Sequence, residues 1–452
     1  MRVQRLIGSA FVGALLLVGA GNVVPASAQA GETVSCGETI DHSLTVANNI
    51  GPCDGDGLVV VASGITLDLG GHTVTGTGQN PPGGVTFDLP EQVGVHLMGV
   101  RGVTVRNGTI GAFDAGVVVE GGGGNTIQAL YVHDNINKLR PDLPNPEDPQ
   151  NPTSAECNFG DGITTSDSSG NRIQANRVVH NGPFSGISLV GNSDDNVVSA
   201  NQVQLNNVPN VRADESVGPC GAPFSRPHQD IGIRIEGPGA DRNRVQSNNV
   251  SGSELNGITI HGYVCHPPGR PPEPNNGSNV ITANNVSRNG FAAPNETQDG
   301  IAILSQGPAT VVCVAFGNTI TGNISTANAR HGIFVGGRGS HGNTISNNTV
   351  RNNGFGCTGP TLSPSGQPSC APGDGVFVTG PGNAASRCGP GTLVSPCPGA
   401  VDNTLVGNQG SGNAHHDGHD ANPNCDNNNW QRNRFGTVNQ ACVAAGGTGV
   451  VR

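Results

Sequence analysis

Ionisable side chains recur at equivalent places of a repeated motif in this sequence. The motif reads G-[IV]-x-Φ, where Φ is an aliphatic residue, and the ionisable residues lie within it or next to its glycine. Together they offer carboxylates, a guanidinium and an imidazole, which are groups that acid–base catalysis uses. We predict that five of them are catalytic: Asp230, Arg234, Glu236, His261 and Asp299.

Three more ionisable residues, Asp161, His331 and Asp374, lie immediately before the glycine of other copies. We predict that they bind substrate. A row of carboxylates also provides the oxygen ligands that Ca²⁺ prefers, so calcium is the cofactor that the pattern suggests. Two ordinary explanations stay open. Asp before Gly is common in turns, and Arg234 with Glu236 can form a solvated surface ion pair.

The motif itself is repeated along most of the chain, with shortest spacings of 22, 24 and 25 residues. Its glycines are Gly64, Gly94, Gly116, Gly162, Gly186, Gly232, Gly257, Gly300, Gly332 and Gly375. Behind the glycine, Asn recurs at every fifth residue, as in Asn171, Asn176 and Asn181. The pieces between the asparagines are too short for helices and read as short strands. Asn tolerates the left-handed backbone conformation, so we expect it at each bend.

This repeat predicts one coil of a parallel β-helix, whose stacked coils bring equivalent asparagines into ladders. A β-sandwich would need hairpin turns and longer strands, which the sequence lacks. Side chains alternate along a strand, so the second and fourth residues after each glycine should face outward. The composition agrees, because 71 Gly and 32 Pro in 452 residues disfavour long helices.

Two segments are the most specific in the sequence: 64–72, which opens the repeats, and 420–442, which closes them with Trp430 and Phe435. With the repeats, they resemble the right-handed parallel β-helix proteins of the pectin-lyase-like superfamily, especially secreted bacterial members of the NosD-like type with PbH1 repeats. The resemblance extends from about Cys36 to Cys442. It implies an all-β chain, a single-stranded right-handed parallel β-helix of about ten coils with disulfide-tied caps.

The N-terminal 30 residues are expected to be a secretory signal peptide. Arg2 and Arg5 precede an apolar run over 6–20, and small residues follow it. We further expect an N-terminal cap over 31–63, β-helix repeats over 64–413 and a C-terminal cap over 414–452. The apolar run is too short to span a bilayer comfortably, so the mature chain should be secreted without a membrane span. We also expect it to be a monomer.

All 12 cysteines lie after the signal segment, and an even number in an exported protein favours disulfides over zinc ligands. The positions of the long insertions suggest the pairing. Two bonds would tie the caps, two would close single insertions and two would join insertions of neighbouring coils. The pairs are Cys36–Cys53, Cys425–Cys442, Cys357–Cys370, Cys388–Cys397, Cys157–Cys220 and Cys265–Cys313.

Motifs of carbohydrate-active families with this fold can be compared with the chain directly. Polygalacturonase-like hydrolases carry paired aspartates, G-H-G and R-I-K on successive coils, but here the nearest match to R-I-K is Arg234-Ile235-Glu236 and no G-H-G occurs. Alginate-lyase relatives use a lysine, and the single one here, Lys138, lies in an insertion. Pectate lyases combine Ca²⁺ with an arginine base, which Asp230, Arg234, Glu236 and Asp299 could mimic.

The NosD-like resemblance also implies copper handling. His415, His416 and His419, beside Asp417 and Asp420, could form a site of His and carboxylate ligands. The alternative is a flexible capping loop, because Gly and Asn surround these residues.

The leading functional hypothesis is a secreted protein that binds an extracellular glycan along its G-Φ strands and processes it as a lyase, hydrolase or epimerase. The long insertions enter the repeat at two points only, on either side of the G-Φ strand, and could wall such a face. A noncatalytic structural or adhesive scaffold is the alternative. Without Arg2 and Arg5 the chain keeps 20 basic and 33 acidic residues. This balance argues against nucleic acid as a partner and implies that an acidic glycan would need calcium as a bridge.

Overall fold

Short parallel strands make up nearly all the regular structure of this chain. The coordinates are a computed structural model. It describes residues 31–77, 92–135, 161–182, 184–206, 231–237, 239–262, 276–291, 298–305, 315–337, 340–356, 373–381 and 399–452. Within these ranges there are 35 strands, and every pairing between them is parallel. The expected all-β parallel coil is therefore confirmed.

The first sheet contains the G-Φ strands, numbered here in chain order along the whole molecule. Its members are β1 Glu38–Ile40, β4 Leu58–Val60, β7 Val93–Met98, β9 Ala115–Glu120, β11 Ile163–Ser166, β14 Ser185–Val190, β17 Ile231–Glu236, β20 Ile258–Gly262, β23 Ile301–Ser305, β26 Ile333–Gly337, β29 Val376–Val378 and β32 Gly418–Asp420. Each pairs with the next member, one coil further along.

The second sheet follows the first within each coil. Its members are β2 Leu44–Thr45, β5 Thr66–Asp68, β12 Arg172–Gln174, β15 Val197–Ser199, β18 Arg244–Gln246, β21 Val280–Thr282, β24 Thr319–Thr321, β27 Thr344–Ser346, β30 Thr404–Val406 and β33 Asn429–Gln431. Two longer strands, β8 Thr104–Gly111 and β10 Thr126–His133, belong to the second sheet with their first half and to the third with their second half.

The third sheet completes each coil. Its other members are β3 Ile50–Cys53, β6 Thr73–Gly76, β13 Arg177–Val179, β16 Gln202–Gln204, β19 Asn249–Ser251, β22 Asn285–Ser287, β25 Ile324–Thr326, β28 Thr349–Arg351, β31 Gln409–Ser411, β34 Asn433–Val438 and β35 Gly447–Val451. A 3₁₀ turn over Pro423–Cys425 and one short helix, α1 Ala441–Ala445, lie near the C-terminus. Within the described residues, no helix combines the length and apolar character needed to cross a membrane.

The core is a stack of aliphatic columns, because parallel pairing in register places the same position of each coil above the last. Ile187, Ile233 and Ile258 are consecutive partners in the first sheet, and all three are fully buried. Each of these isoleucines follows a glycine, and at Gly186 the requirement for glycine is steric. A Cβ on Gly186 would lie 2.7 Å from both Asn206 Nδ2 and Val203 Cγ1, so only glycine fits where the third sheet turns into the first.

The asparagines form the expected ladders, and they are buried inside the coil. Asn201 donates from Nδ2 to Asn248 Oδ1 (3.0 Å) and to Ile173 O (2.9 Å), and its own Oδ1 accepts from Asn176 Nδ2 (3.1 Å). One part of the expectation is wrong, since the left-handed residue is the one before each asparagine. Ala175, for example, has φ 54° and precedes Asn176. The bend there leaves the asparagine side chain free to point inward and satisfy backbone groups.

The sequence interpretation also misplaced the motif at Gly64. Thr66–Asp68 pairs with residues 104–106 in the second sheet, whereas the first-sheet strand of that coil is β4, eight residues earlier. Gly64 has φ 74° and opens a turn rather than a first-sheet strand. The segment from Thr66 therefore does not contribute to the outer face of the first sheet.

Two of the six predicted disulfides lie among the described residues, and both are present. Cys36–Cys53 joins Cα atoms 5.5 Å apart near the N-terminus, and Cys425–Cys442 joins Cα atoms 6.1 Å apart near the C-terminus. The other eight cysteines lie outside the described residues: Cys157, Cys220, Cys265, Cys313, Cys357, Cys370, Cys388 and Cys397. Asp230, Lys138 and the predicted signal segment 1–30 also lie outside them.

Candidate functional site

The outer face of the first sheet carries the residues that the motif predicted. In register along the helix axis, one outward column contains Val59, His96, Val118, Thr164, Ser188, Arg234, Thr259, Ala302, Phe334, Phe377 and His419. The column is mostly polar from Thr164 to Thr259 and aromatic from Phe334 to His419, while His96, near its start, contacts Glu120 (3.2 Å) and Asp56 (3.5 Å). The residues that the motif predicted form two groups, one in the middle of the molecule and one near its C-terminus.

We call the first of these the central patch. It consists of Asp161, Thr164, Ser188, Arg234, Glu236 and His261. Arg234 and Glu236 lie on β17 and form an ion pair. His261, on β20, lies directly beside Glu236 in the register, with Nδ1 3.5 Å from Glu236 Oε1 and 3.4 Å from Arg234 Nη2. The Arg234 guanidinium also stacks on the ring of Phe184, 4.3 Å from its centroid.

Asp161 is the second carboxyl group of the central patch, beside that of Glu236. Its Oδ2 accepts hydrogen bonds from the hydroxyls of Thr164 and Ser188, the latter at 2.8 Å. Its Oδ1 has no hydrogen-bond partner within the described part of the chain. Burial raises the pKa of Asp161 to about 7, and the two hydroxyls and the charge of Arg234 only partly oppose that effect. A carboxyl group that titrates near neutrality can both give and take a proton.

The central patch is closed to solvent. Arg234 is 4 % exposed, Glu236 is 7 % exposed and His261 is 8 % exposed. The motif analysis therefore placed three of its five catalytic candidates together, but they do not line an open groove. Two insertions that flank these strands, 207–230 with Asp230 and 263–275, lie outside the described residues.

Asp299 and His331 continue the row of residues that precede the motif glycine. Asp299 Oδ1 accepts the backbone N–H of His331 at 3.0 Å, while its Oδ2 has no partner among the described residues. Burial raises the pKa of Asp299 to about 6, although the charge of Arg330 opposes it. Burial also lowers the pKa of His331 well below its ordinary value. His331 stacks on Phe377, with ring centroids 4.5 Å apart and planes 7° from parallel.

The second concentration is the terminal cluster, which consists of Asp374, His415, His416 and His419. One potential ligand atom of each lies within 4.8 Å of those of the others. Asp374 Oδ1 lies 3.1 Å from His415 Nδ1 and 3.3 Å from His416 Nδ1, and its Oδ2 lies 3.1 Å from His419 Nδ1. A fourth imidazole, that of His331, accepts the Asp374 N–H at its Nδ1 (2.9 Å).

The terminal cluster is fixed by the stacking of two coils and is open on one side. Asp374 precedes β29, His416 precedes β32, and the His416 N–H donates to Asp374 Oδ1 at 2.9 Å. Burial alone would raise the pKa of Asp374, but hydrogen bonds from the three cluster histidines outweigh it and hold the pKa well below its ordinary range. The Asp374 side chain is 2 % exposed, whereas that of His415 is 43 % exposed.

The carboxylate partner of these histidines differs from the one that the sequence suggested. Asp417 accepts from Asn413 Nδ2 (2.7 Å) and from backbone N–H groups of β34, and Asp420 accepts from Trp430 Nε1 (2.8 Å). Both therefore serve the C-terminal packing. Asp374 lies 41 positions before His415, and only the register of the coils brings the two together.

Comparison with known proteins agrees with this architecture. The family model for the right handed beta helix region matches residues 44–263. The fold is a right-handed parallel β-helix. The match supports the right-handed parallel β-helix that the sequence predicted, and a search of curated protein sequences finds no match.

Several solved structures are similar to this chain at low identity. The Dettilon tailspike protein is 17% identical with a TM-score of 0.45, and the alignment covers 82% of this chain but only 54% of the tailspike. A double mutant of the periplasmic alginate epimerase AlgG is 14% identical (TM-score 0.46, 88% of this chain and 74% of the epimerase). The pectate lyase Pel9A is 15% identical (TM-score 0.38, 79% and 69%). Such values carry no statement about the activity of this chain.

Proposed function

We propose that the protein is a secreted, extracellular glycan-binding β-helix that processes its glycan by proton transfer at the central patch. The observation that carries this proposal is Asp161, a buried carboxyl group with a pKa of about 7 beside the charge of Arg234. Buried ionisable groups cost stability, so their concentration at one place of a regular solenoid favours a functional role.

The residues of the central patch suit particular steps. Asp161 would exchange a proton with the sugar, because its pKa matches a neutral medium. Arg234 would stabilise the negative charge that develops next to a sugar carboxylate. Glu236 and His261 would hold the guanidinium in place through the contacts described above. Proton abstraction beside a carboxylate is the chemistry of lyases and epimerases, so a uronic-acid polymer is the substrate class that fits best.

Calcium enters the proposal as a bridge. The acidic chain and a polyuronate repel each other, and a divalent cation between them would relieve that repulsion. The linear outer face would suit a linear substrate. A polysaccharide is a linear repeat, and the coils present side chains at a regular spacing of about 4.8 Å along the axis.

The test is a panel of neutral and uronic-acid polysaccharides incubated with the protein, with and without Ca²⁺. Unsaturated products, changed uronate configuration and new reducing ends would be measured separately. We expect turnover of a uronic-acid polymer that Asp161→Asn abolishes and that Asp194→Asn, at an exposed ion pair with Arg242, leaves unchanged. Circular dichroism would confirm that both variants fold.

The closed state of the central patch favours one second candidate. Arg234, Glu236 and His261 are almost fully buried, which a structural polar network in a noncatalytic scaffold would also require. Absence of binding and turnover across the panel, with Asp161→Asn more stable than the parent protein, would establish the scaffold instead.

A further inference from the structure

The terminal cluster has a different set of donor atoms from the rest of the outer face. One potential ligand atom from each of three imidazoles and one carboxylate lies within 4.8 Å of the others. Imidazole and carboxylate together are typical ligands of zinc and of neighbouring divalent transition metals. Ca²⁺ takes six to eight oxygen ligands, and this cluster offers one carboxylate.

The spacing of these atoms also fits one small ion. Ligands bound at about 2.0–2.1 Å to a tetrahedral ion lie about 3.4 Å from one another. In the cluster, His415 Nδ1 and His416 Nδ1 are 3.1 Å apart, and the contacts of both with Asp374 Oδ1 are 3.1 and 3.3 Å. Modest outward movement of the rings would admit the ion, and His415 has the solvent exposure that such a movement needs.

The surroundings fix the inner ligands. His416 is held by its backbone bond to Asp374, and its side chain is 9 % exposed. His419 packs edge-on against Phe377, with ring centroids 4.8 Å apart. His331 is not a ligand, since its Nδ1 accepts the Asp374 N–H and its ring lies flat on Phe377. His331 and Phe377 therefore form the apolar inner wall beside the cluster.

We propose that Asp374, His415, His416 and His419 bind one divalent transition-metal ion of the zinc class. The four ligands fill the four positions of a tetrahedral site, which is the arrangement of structural zinc sites. The ion joins the coil of β29 to the coil of β32, and it thereby fastens the last first-sheet strand to the body of the solenoid. This site does not depend on the glycan proposal, because it uses different residues and a different reaction partner.

The test uses the full mature chain without an affinity tag, stripped with a chelator and dialysed. Zn²⁺ is titrated calorimetrically, and Co²⁺ serves as the spectroscopic probe because tetrahedral nitrogen and oxygen ligands give it intense visible absorption. We expect one Zn²⁺ per chain, tetrahedral Co²⁺ bands, and no displacement of Co²⁺ by Ca²⁺. Zinc should also raise the unfolding temperature, because it binds only the folded chain tightly.

Substitutions decide whether the ion occupies this cluster. His416→Ala and His419→Ala should each lower the Zn²⁺ affinity at least tenfold, whereas His72→Ala, many coils away, should leave it unchanged. If either alanine variant fails to fold, His419→Gln replaces it and should abolish the Co²⁺ bands. Absence of stoichiometric Zn²⁺ binding by the parent chain would overturn the proposal. So would binding that survives the His416→Ala/His419→Ala double substitution.

Discussion

The central patch and the terminal cluster occupy the same face of the same sheet, yet they handle buried charge differently. In the central patch, the Arg234 guanidinium is neutralised by Glu236 on its own strand, and both are nearly inaccessible. In the terminal cluster, the Asp374 carboxylate contacts three imidazoles of the next coil, and one of these, His415, is exposed to solvent. A regular backbone thus supports a closed ion pair at one place and a donor cluster with an open edge at another.

The difference lies in where the partners of each buried charge come from. Arg234 and Glu236 pair within one strand and are both nearly inaccessible. Asp374 takes its histidine partners from the coil of β32, and one of them, His415, remains within reach of small solutes. Four experiments would break or sharpen this comparison.

The largest effect is expected for Glu236→Ala. The substitution leaves the Arg234 guanidinium buried without its carboxylate, which should cost about 3–5 kcal/mol of unfolding free energy. Asp195→Asn removes a charge from the exposed pair of Asp195 with Arg242 and should cost less than about 1 kcal/mol. Urea unfolding of both variants measures the contrast. Equal costs would mean that solvent reaches the central patch and that its closed description is wrong.

The pH dependence of stability should reveal Asp161. Its pKa is about 7 in the folded protein and about 3.8 in the unfolded chain, so folding favours the protonated carboxyl group. Its contribution is complete below pH 3.8 and is lost as the pH rises through 7, by up to about 4 kcal/mol. The amide that Asp161→Asn introduces cannot ionise. The difference in unfolding free energy between the two proteins should therefore change across this window, and a constant difference from about pH 4 to about pH 8 would contradict the assignment.

The sequence predicted the fold well because its determinants are local and periodic. Glycine where a Cβ would collide, an aliphatic residue inside each strand and Asn at every fifth residue all repeat within one coil. It predicted the left-handed residue one position late, because Asn tolerates that conformation. Here the asparagine instead points its side-chain amide into the coil, and the residue before it adopts the left-handed conformation. Gly64 was misassigned because the segment after it has the same sequence pattern as a first-sheet strand. Only the strand pairing shows that this segment belongs to the second sheet.

The two sites depend on contacts between residues of neighbouring coils, and such contacts are difficult to predict from a single sequence. Arg234, Glu236 and His261 were grouped correctly because they are close in the repeat. Asp374 was recognised as a candidate from its place before the motif glycine, but its histidine partners belong to the next coil and only the stacking of β29 on β32 joins them. Burial of the central patch could not be predicted either, because it depends on how neighbouring segments pack.

Removal of one asparagine from the ladder should lower the unfolding free energy by the same amount in the middle of the molecule and near its C-terminus. Asn201→Ala removes two donated and two accepted hydrogen bonds in the same coil as Ser188 of the central patch, and Asn348→Ala removes an equivalent set in the coil before that of Asp374. Each should cost about 2–3 kcal/mol, because buried partners are left unsatisfied. Thermal unfolding of the two variants checks this. A marked inequality would show that the outer face influences the core, against the idea of one uniform frame carrying two chemistries.

The smallest effect is expected at the exposed edge. His415→Ala in metal-free protein should change the unfolding free energy by no more than about 0.5 kcal/mol, because the ring is 43 % exposed and Asp374 keeps its contacts with His416 and His419. His261→Ala, its counterpart in the central patch, should cost about 1–3 kcal/mol, since Arg234 and Glu236 lose a buried neighbour. Urea unfolding in the presence of a chelator gives both values. A larger loss of unfolding free energy for His415→Ala than for His261→Ala would reverse the comparison, because the exposed histidine would then contribute more to stability than the buried one.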